Sequence, residues 1–122
     1  MPSAINLDTH ILLDGLLGGL RPREARLIRR HPAGISAIVL WEIARLHQKG
    51  RITLSLDHPK FIKWLSRIHV WPIDFEVCLR LDDLDFHSDP ADELIAATSL
   101  AHNVPLLTRD DRIRKSKKVP LA

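Results

Sequence analysis

Short apolar stretches alternate with helical segments along most of the chain, and this alternation restricts the fold more than any other feature. Brief strands separated by helices predict βαβ units, which place successive strands parallel in one sheet. We predict strands at 4–7, 34–36, 69–73 and 104–108, with a last edge strand at 119–121. Helices are predicted at 11–17, 22–30, 37–49, 59–67, 76–84 and 90–102. The expected class is α/β, an α/β/α sandwich around a central, mostly parallel sheet of four or five short strands.

Size and composition predict one domain spanning residues 1–122. A chain of 122 residues with 45% hydrophobic content can bury a single core. Cys78 is the only cysteine, so an internal disulfide and a cysteine-based zinc site are both excluded. We find no membrane span and no export signal. These features predict a soluble protein of the reducing cytoplasm.

Basic residues are concentrated in two parts of the chain, although the net charge is only +3. One cluster lies between positions 21 and 30, and the other between positions 109 and 118. Such clusters suit a polyanion, nucleic acid above all. A solvated helix face and a solvated tail explain them equally well, so basicity alone leaves the partner open.

Four carboxylates stand where an apolar stretch meets a turn or a helix: Asp8, Glu42, Asp92 and Asp110. Asp8 and Asp110 follow predicted strands, at the edge where open α/β sheets bind ligands. Isolated carboxylates removed from water cost several kcal/mol unless they are paired or bound to a cation. The set therefore predicts a shared metal site at one cleft. Oxygen ligands without histidine or cysteine favour Mg²⁺ or Mn²⁺.

Each acid also has a structural explanation. Asp8 and Asp110 could cap the helices or turns that follow them, while Asp89, Pro90 and Asp92 have the order of an N-cap, first helical position and N3. For Asp92 alone, capping is the better explanation.

Glu42 is harder to explain by structure, because the first two turns of its predicted helix are apolar nearly all round. That pattern predicts a helix packed deep against the sheet, with Arg45 as the alternative partner of Glu42. Trp41, Trp64 and Trp71 recur in apolar patterns and are predicted to lie in the core rather than to stack on bases. The seven histidines lack the spacing of a zinc site and are interpreted as mostly structural.

The order of these motifs resembles the PIN-domain nucleases, specifically the VapC toxin type, over essentially the whole chain. The segments that carry the resemblance are Ile5-Asn6-Leu7-Asp8-Thr9-His10, Ile35 to Ala44 around Trp41-Glu42, His87-Ser88-Asp89-Pro90-Ala91-Asp92 with the following Leu94 to Thr98, and Leu107-Thr108-Arg109-Asp110.

The resemblance implies a metal-dependent ribonuclease, the toxin of a toxin–antitoxin pair. Asp8, Glu42, Asp92 and Asp110 match the family's catalytic acids, and Thr108 matches a hydroxyl position beside them. We expect Asp8 and Asp92 to bind Mg²⁺ or Mn²⁺ directly, and Asp110 to complete the metal site or to recruit a second ion. Glu42 is expected to position or deprotonate the attacking water.

The chain differs from the family pattern at two positions, and the resemblance also implies three partners. Glu93 stands where a basic residue is frequent, and Ala91 replaces a frequent aromatic residue, which bears on substrate affinity rather than on the four acids. The implied partners are an RNA substrate, a VapB-like antitoxin and a second copy of the chain. The homodimer would use apolar surface at 12–20 and 62–68.

Two other functions compete with this interpretation. A haloacid-dehalogenase-like phosphatase also has an aspartate after its first strand, but it needs acids at both 6 and 8, and position 6 is Asn6. A non-catalytic RNA-binding or partner-binding protein with the same fold would need neither the metal nor all four acids.

Overall fold

The structure is a computed structural model that describes residues 3–122. Its elements, in chain order, are β1 (Ile5–Leu7), α1 (Thr9–Leu17), α2 (Pro22–Arg30), β2 (Ala33–Ser36), α3 (Ala37–Gln48), α4 (Pro59–Leu65), β3 (His69–Trp71), α5 (Phe75–Arg80), α6 (Pro90–His102), β4 (Leu106–Leu107) and α7 (Asp111–Arg114). A 3-10 turn at Leu81–Asp83 follows α5.

The four strands form one sheet in the order β3-β2-β1-β4, and every pair is parallel. Asn6 of β1 is opposite Gly34 on one side and Leu106 on the other. Because the strands are parallel, their carboxyl ends share one edge of the sheet. The predicted α/β class with a central parallel sheet is therefore confirmed.

Prolines make two strands shorter than predicted. β3 ends at Trp71 because Pro72 has no N–H to donate, and β4 contains only the two residues after Pro105. The fifth strand predicted at 119–121 is wrong, since this segment contributes one isolated parallel bridge between Leu121 and Leu106.

Caps and turns account for the differences among the helices. α1 begins at Thr9, two residues earlier than predicted, because the Asp8 carboxylate caps it. The predicted helix at 76–84 is divided into α5 and the 3-10 turn. α7 is a one-turn helix that the prediction treats only as a turn beginning near Asp110.

The core lies between β1, β2 and β4 and the apolar faces of α1, α3 and α6. Its fully buried side chains include Leu7, Leu12, Ile35, Ile43, Ile95, Leu106 and Ile113. Asn6 is also buried, and its amide donates hydrogen bonds to the Ile95 carbonyl at 3.1 Å and the Ser99 hydroxyl at 3.0 Å. These bonds fix α6 against β1, which positions the start of α6 near the sheet edge.

The predicted depth of α3 is wrong. Only Val39 and Ile43 of this helix are buried, and the Trp41 side chain is 56% exposed. The prediction of a core position is confirmed for Trp71, which is buried, and Trp64 packs partly buried against the core. The apolar pattern of α3 therefore includes Trp41, whose indole lies at the surface.

Other predictions about surfaces have mixed outcomes. Across residues 3–122, no helix combines the length and apolar character required to cross a membrane. In the two segments predicted to form a dimer, Leu17 and Ile62 are the large apolar residues that are exposed, whereas Leu12, Leu13 and Leu16 are buried. Dimerisation stays a prediction.

Gly34 provides a test of how closely β2 packs against Trp71. A Cβ at position 34 would lie 2.5 Å from Trp71 Cζ3, so we expect G34A to destabilise the protein by about 1–3 kcal/mol. In α1, the nearest atom to a Cβ at position 15 is Leu20 Cδ1 at 3.8 Å, and G15A should stabilise by about 0.5–1 kcal/mol. Urea unfolding measures both; equal midpoints for G34A and the parent would contradict this packing.

Candidate active site

The four acids singled out in the sequence line one cleft at the carboxyl edge of the sheet. Its volume is about 490 Å³, and its walls are Asp8, His10, Asp14, Glu42, Asp89, Asp92, Arg109 and Asp110. The predicted convergence is therefore present, although the chemical roles of these residues stay predictions.

Asp8 directly follows β1 and is the N-cap of α1. Its Oδ1 accepts a hydrogen bond from the Thr9 N–H at 2.8 Å, and its Oδ2 accepts one from the Thr108 hydroxyl at 2.6 Å. The side chain is buried, so these donors and the helix N-terminus offset part of the cost of removing its charge from water. Asp8 therefore both caps α1 and lines the cleft.

Asp110 repeats this arrangement at the end of β4. It is the N-cap of α7, and its Oδ1 accepts a hydrogen bond from the Ile113 N–H at 3.0 Å. The Thr108 hydroxyl accepts from the Asp110 N–H at 3.0 Å while it donates to Asp8. Thr108 therefore connects the two acids, in agreement with the hydroxyl position that the family resemblance implies.

Glu42 reaches the cleft from α3, where the Thr9 hydroxyl donates to its Oε1. Burial raises the pKa of the Glu42 carboxyl above its usual value of 4.5. The neighbouring charges of Asp92 and Asp8 raise this pKa further. The alternative partner Arg45 is not used, because within residues 3–122 no ion pair joins it to Glu42 and its guanidinium lies over the Trp41 ring.

Asp92 lies in the first turn of α6, where its Oδ2 accepts a hydrogen bond from the Ser88 hydroxyl at 2.9 Å. Burial raises the pKa of the Asp92 carboxyl above its usual value of 3.8, and the charges of Asp8, Asp110 and Asp89 add to that rise. Burial is therefore the larger cause of both raised pKa values, and repulsion between the acids of the cleft is the smaller one. A cation between them would relieve that repulsion.

Asp89 and Asp92 do not form the capping box that their order predicts. Asp89 occupies the N-cap position of α6, but its side chain makes no capping hydrogen bond and lines the cleft instead. A related bond is made one position later by Glu93, whose Oε2 accepts from the N–H of Ser88, the residue before the N-cap, at 2.9 Å. The N-cap role of Asp89 therefore does not explain its side chain, which joins Asp14 and the four predicted acids, so that six carboxylates line the cleft.

Arg109, a member of the basic cluster at 109–118, closes one wall of the cleft through a partly buried ion-pair network. Its Nε and Nη2 donate to the two carboxylate oxygens of Glu24 at 2.8 and 2.5 Å, and its Nη1 donates to Asp14 at 2.5 Å. Its Nη2 also donates to the Gly19 carbonyl at 3.1 Å. Arg109 therefore fixes α1 and α2 against the end of β4 rather than meeting a ligand.

Five contributors to this site were missed in the sequence: Thr9, His10, Asp14, Ser88 and Arg109. Thr9 and Ser88 lie close in sequence to predicted acids, and hydroxyls in that position are a usable signal. Arg109 pairs with Glu24 and Asp14 at separations of 85 and 95 residues, and no local pattern reveals such a pair.

The donors suit a hydrated divalent cation better than a closed metal cage. Across the described chain, no three His, Cys, Asp or Glu side chains already form a group able to hold a metal ion. The cleft nevertheless offers carboxylate oxygens that repel one another and are partly buried. Mg²⁺ prefers such oxygen ligands and keeps several of its waters, so it does not require a dedicated protein cage.

Basic side chains border the acidic cleft. Arg21, Arg23 and Arg114 line a neighbouring groove that shares Arg109 with the cleft. Arg112 and Lys115 line a second groove, which shares Asp89, Asp92 and Asp110 with it. These basic grooves could bind the backbone of a polyanion that crosses the acidic cleft.

Comparisons with known proteins give one family. The family model described as PIN domain matches residues 5–119. Ribonuclease VapC22 of Mycobacterium tuberculosis is 30% identical over 89 residues, which are 68% of this chain and 66% of that relative, just under two thirds of its length.

Two solved structures share the fold. One is VapBC2 from Rickettsia felis bound to a fragment of promoter DNA, with a TM-score of 0.78, 18% identity, and coverage of 98% of this chain and 97% of that chain. The other is DNA-bound VapBC from Salmonella typhimurium, with a TM-score of 0.71, 14% identity, and coverage of 100% and 98%. At these identities the likeness concerns the fold alone.

The Arg109 network predicts a pH-dependent loss of stability. We expect R109M to lower the free energy of unfolding by about 2 kcal/mol at pH 7, because Glu24, only 5% exposed, loses its partner while Arg109 itself is partly solvated. The Arg109 hydrogen bond lowers the pKa of Glu24 below its usual 4.5. This stabilisation is present above pH 4.5 and is lost as the pH falls through the lower folded-state pKa.

The matched control is R112M, because exposed Arg112 makes a single hydrogen bond to the His87 carbonyl at 2.8 Å. It should change stability by about 0.5 kcal/mol or less. Urea unfolding at pH 7 and near the acid limit compares the two variants. Equal losses for both, or an R109M effect that does not shrink in acid, would contradict the network.

Proposed function

The chain belongs to the PIN-domain family, and on that premise we propose that it is a metal-dependent ribonuclease acting as the toxin of a toxin–antitoxin pair. The observation that carries the proposal is that Asp8, Glu42, Asp92 and Asp110 line one cleft. The relative VapC22, whose name is that of a ribonuclease, supports the same activity.

We assign the metal to three of the four acids. Asp8, Asp92 and Asp110 would hold Mg²⁺ or Mn²⁺, in part through waters of the ion. A bound divalent cation makes a water more acidic and offsets negative charge that grows on a phosphate. Thr108 and Ser88 would keep two of these ligands in place, because their hydroxyls already donate to Asp8 and Asp92.

Glu42 is proposed to orient and deprotonate the attacking water. Thr9 binds its Oε1, so Oε2 is the atom assigned to accept the proton from water. Burial raises the pKa of Glu42, which makes this carboxylate a stronger base than an exposed one. The water would attack the phosphorus of a phosphodiester as the P–O bond to the ribose 3′-oxygen breaks, which would leave a 5′-phosphate on one fragment and, once that oxygen takes up a proton, a 3′-hydroxyl on the other.

The RNA backbone is proposed to follow the basic grooves on either side of the acids. Arg21, Arg23 and Arg114 border one side, and Arg112 and Lys115 border the other. Phosphate contacts of this kind supply affinity that is independent of sequence. Arg109 is left out of this role, since two carboxylates already neutralise its charge.

The proposed protein partners are a VapB-like antitoxin and a second copy of the chain. VapBC assemblies among the structural relatives support the antitoxin. The exposed Leu17 and Ile62 support a homodimer through α1 and α4. The proposed place of action is the cytoplasm, where RNA and the antitoxin would both be present.

Replacing Asp8 with Asn tests the activity directly. Asn keeps the shape and the capping ability of Asp8 but loses the charge, so the variant should stay folded and lose about 100-fold or more in RNA cleavage with Mg²⁺ or Mn²⁺. Expression of the parent chain without its antitoxin should arrest growth, and D8N should not.

The control is D82N, an acid-to-amide change at an exposed position on the 3-10 turn. It should cleave RNA like the parent protein, and a chelator should stop both. Parental cleavage by D8N would exclude the assigned metal site. Growth arrest that persists in D8N would favour the non-catalytic RNA-binding or partner-binding function.

A further inference from the structure

A groove beside the acidic cleft contains the exposed indole of Trp41. This groove, called here the Trp41 groove, is lined by Trp41, Glu42, Arg45, Leu46, Lys49 and Arg51. Glu42 belongs to both surfaces, so the Trp41 groove continues directly from the wall of the cleft. A ligand that leaves the cleft past Glu42 would enter it.

The exposure of Trp41 has no explanation in the packing of the chain. Its side chain is 56% exposed, although an indole is among the side chains that gain most from burial. The Arg45 guanidinium carbon lies 5.8 Å from the ring centroid, a cation–π distance that restrains the ring. Trp41 is therefore a restrained aromatic surface open to a flat ligand.

The cations of the Trp41 groove are available for an anion. Arg45, Lys49 and Arg51 are exposed, and within residues 3–122 none of them is in an ion pair. The only acid in the lining is Glu42. An aromatic ring next to positive charges fits a single-stranded nucleic acid, whose bases stack and whose phosphates need cations.

We propose that the Trp41 groove binds the RNA strand next to the scissile phosphate, with one base stacked on Trp41 and the backbone held by Lys49 and Arg51. This inference deepens the proposed ribonuclease function and rests on it. The subsite would give affinity and register to the strand, while stacking alone tolerates any base.

Binding without cleavage is the test. A single-stranded RNA of about ten nucleotides is titrated into the parent, W41A and W41F proteins in the presence of a chelator. W41A should weaken binding about tenfold, and W41F should stay within about threefold, since a phenyl ring still stacks. Binding of inorganic polyphosphate, which has no bases, should be nearly equal in all three proteins.

The matched control is W64F. Trp64 lies in another basic groove with Lys60, Lys63 and Arg67, but no residue of that groove lines the acidic cleft. RNA should quench the intrinsic fluorescence of the parent and of W64F, and this quenching should be lost in W41F. That loss reports contact at Trp41 itself rather than a change in the fold.

Salt dependence gives an independent measurement. Each of K49Q and R51Q should lower the slope of log affinity against log salt concentration by about 0.7, the value for one phosphate contact to a single strand. Unchanged slopes in both variants would overturn the assignment of the backbone to this groove.

Three results would overturn the stacking proposal. One is parental RNA affinity in W41A, and another is an equal loss of RNA and polyphosphate binding. The third is a change in molecular mass of W41A by light scattering, which would make the surface an interface between copies. These results are distinct from failure of the ribonuclease function itself, which would appear as absence of RNA cleavage by the parent protein with Mg²⁺ or Mn²⁺.

Discussion

Two acids of the cleft are held in place by the helices that they begin. Asp8 caps α1 and Asp110 caps α7, so backbone N–H groups stabilise negative charge at the ends of β1 and β4. Thr108 connects both side chains. Removing a carboxylate from water costs free energy, and these hydrogen-bond donors offset part of that cost. The acidic cleft therefore depends on local caps as much as on the topology of the sheet.

The charge distribution follows from a second constraint, the mutual repulsion of these acids. Burial raises the pKa values of Glu42 and Asp92 most, and the charges of the neighbouring acids raise them further. Basic grooves border it, and Arg109, which lines one of them, is already paired with Glu24 and Asp14. The basic grooves of such a surface attract a polyanion, whereas the acidic cleft between them attracts a cation.

The sequence predicted the parts of the fold that depend on local pattern. Parallel strands alternating with helices, and acids at strand ends, follow from apolar periodicity and turn residues. It did not predict the exposure of Trp41, because α3 is apolar on sides that the sheet does not cover. Nor did it find the Arg109 network, since ion pairs between distant residues leave no local pattern. The predicted fifth strand is absent because the segment at 119–121 pairs with β4 through a single bridge, between Leu121 and Leu106.

The central claim is that the cleft binds a divalent cation through Asp8, Asp92 and Asp110. Anomalous diffraction from crystals soaked in Mn²⁺ tests it most directly, because the scattering locates the ion without assuming any activity. We predict one or two peaks inside the cleft beside these carboxylates, with loss of at least one peak in D92N. No peak in the cleft, or the same peaks at unchanged strength in D92N, would contradict the account.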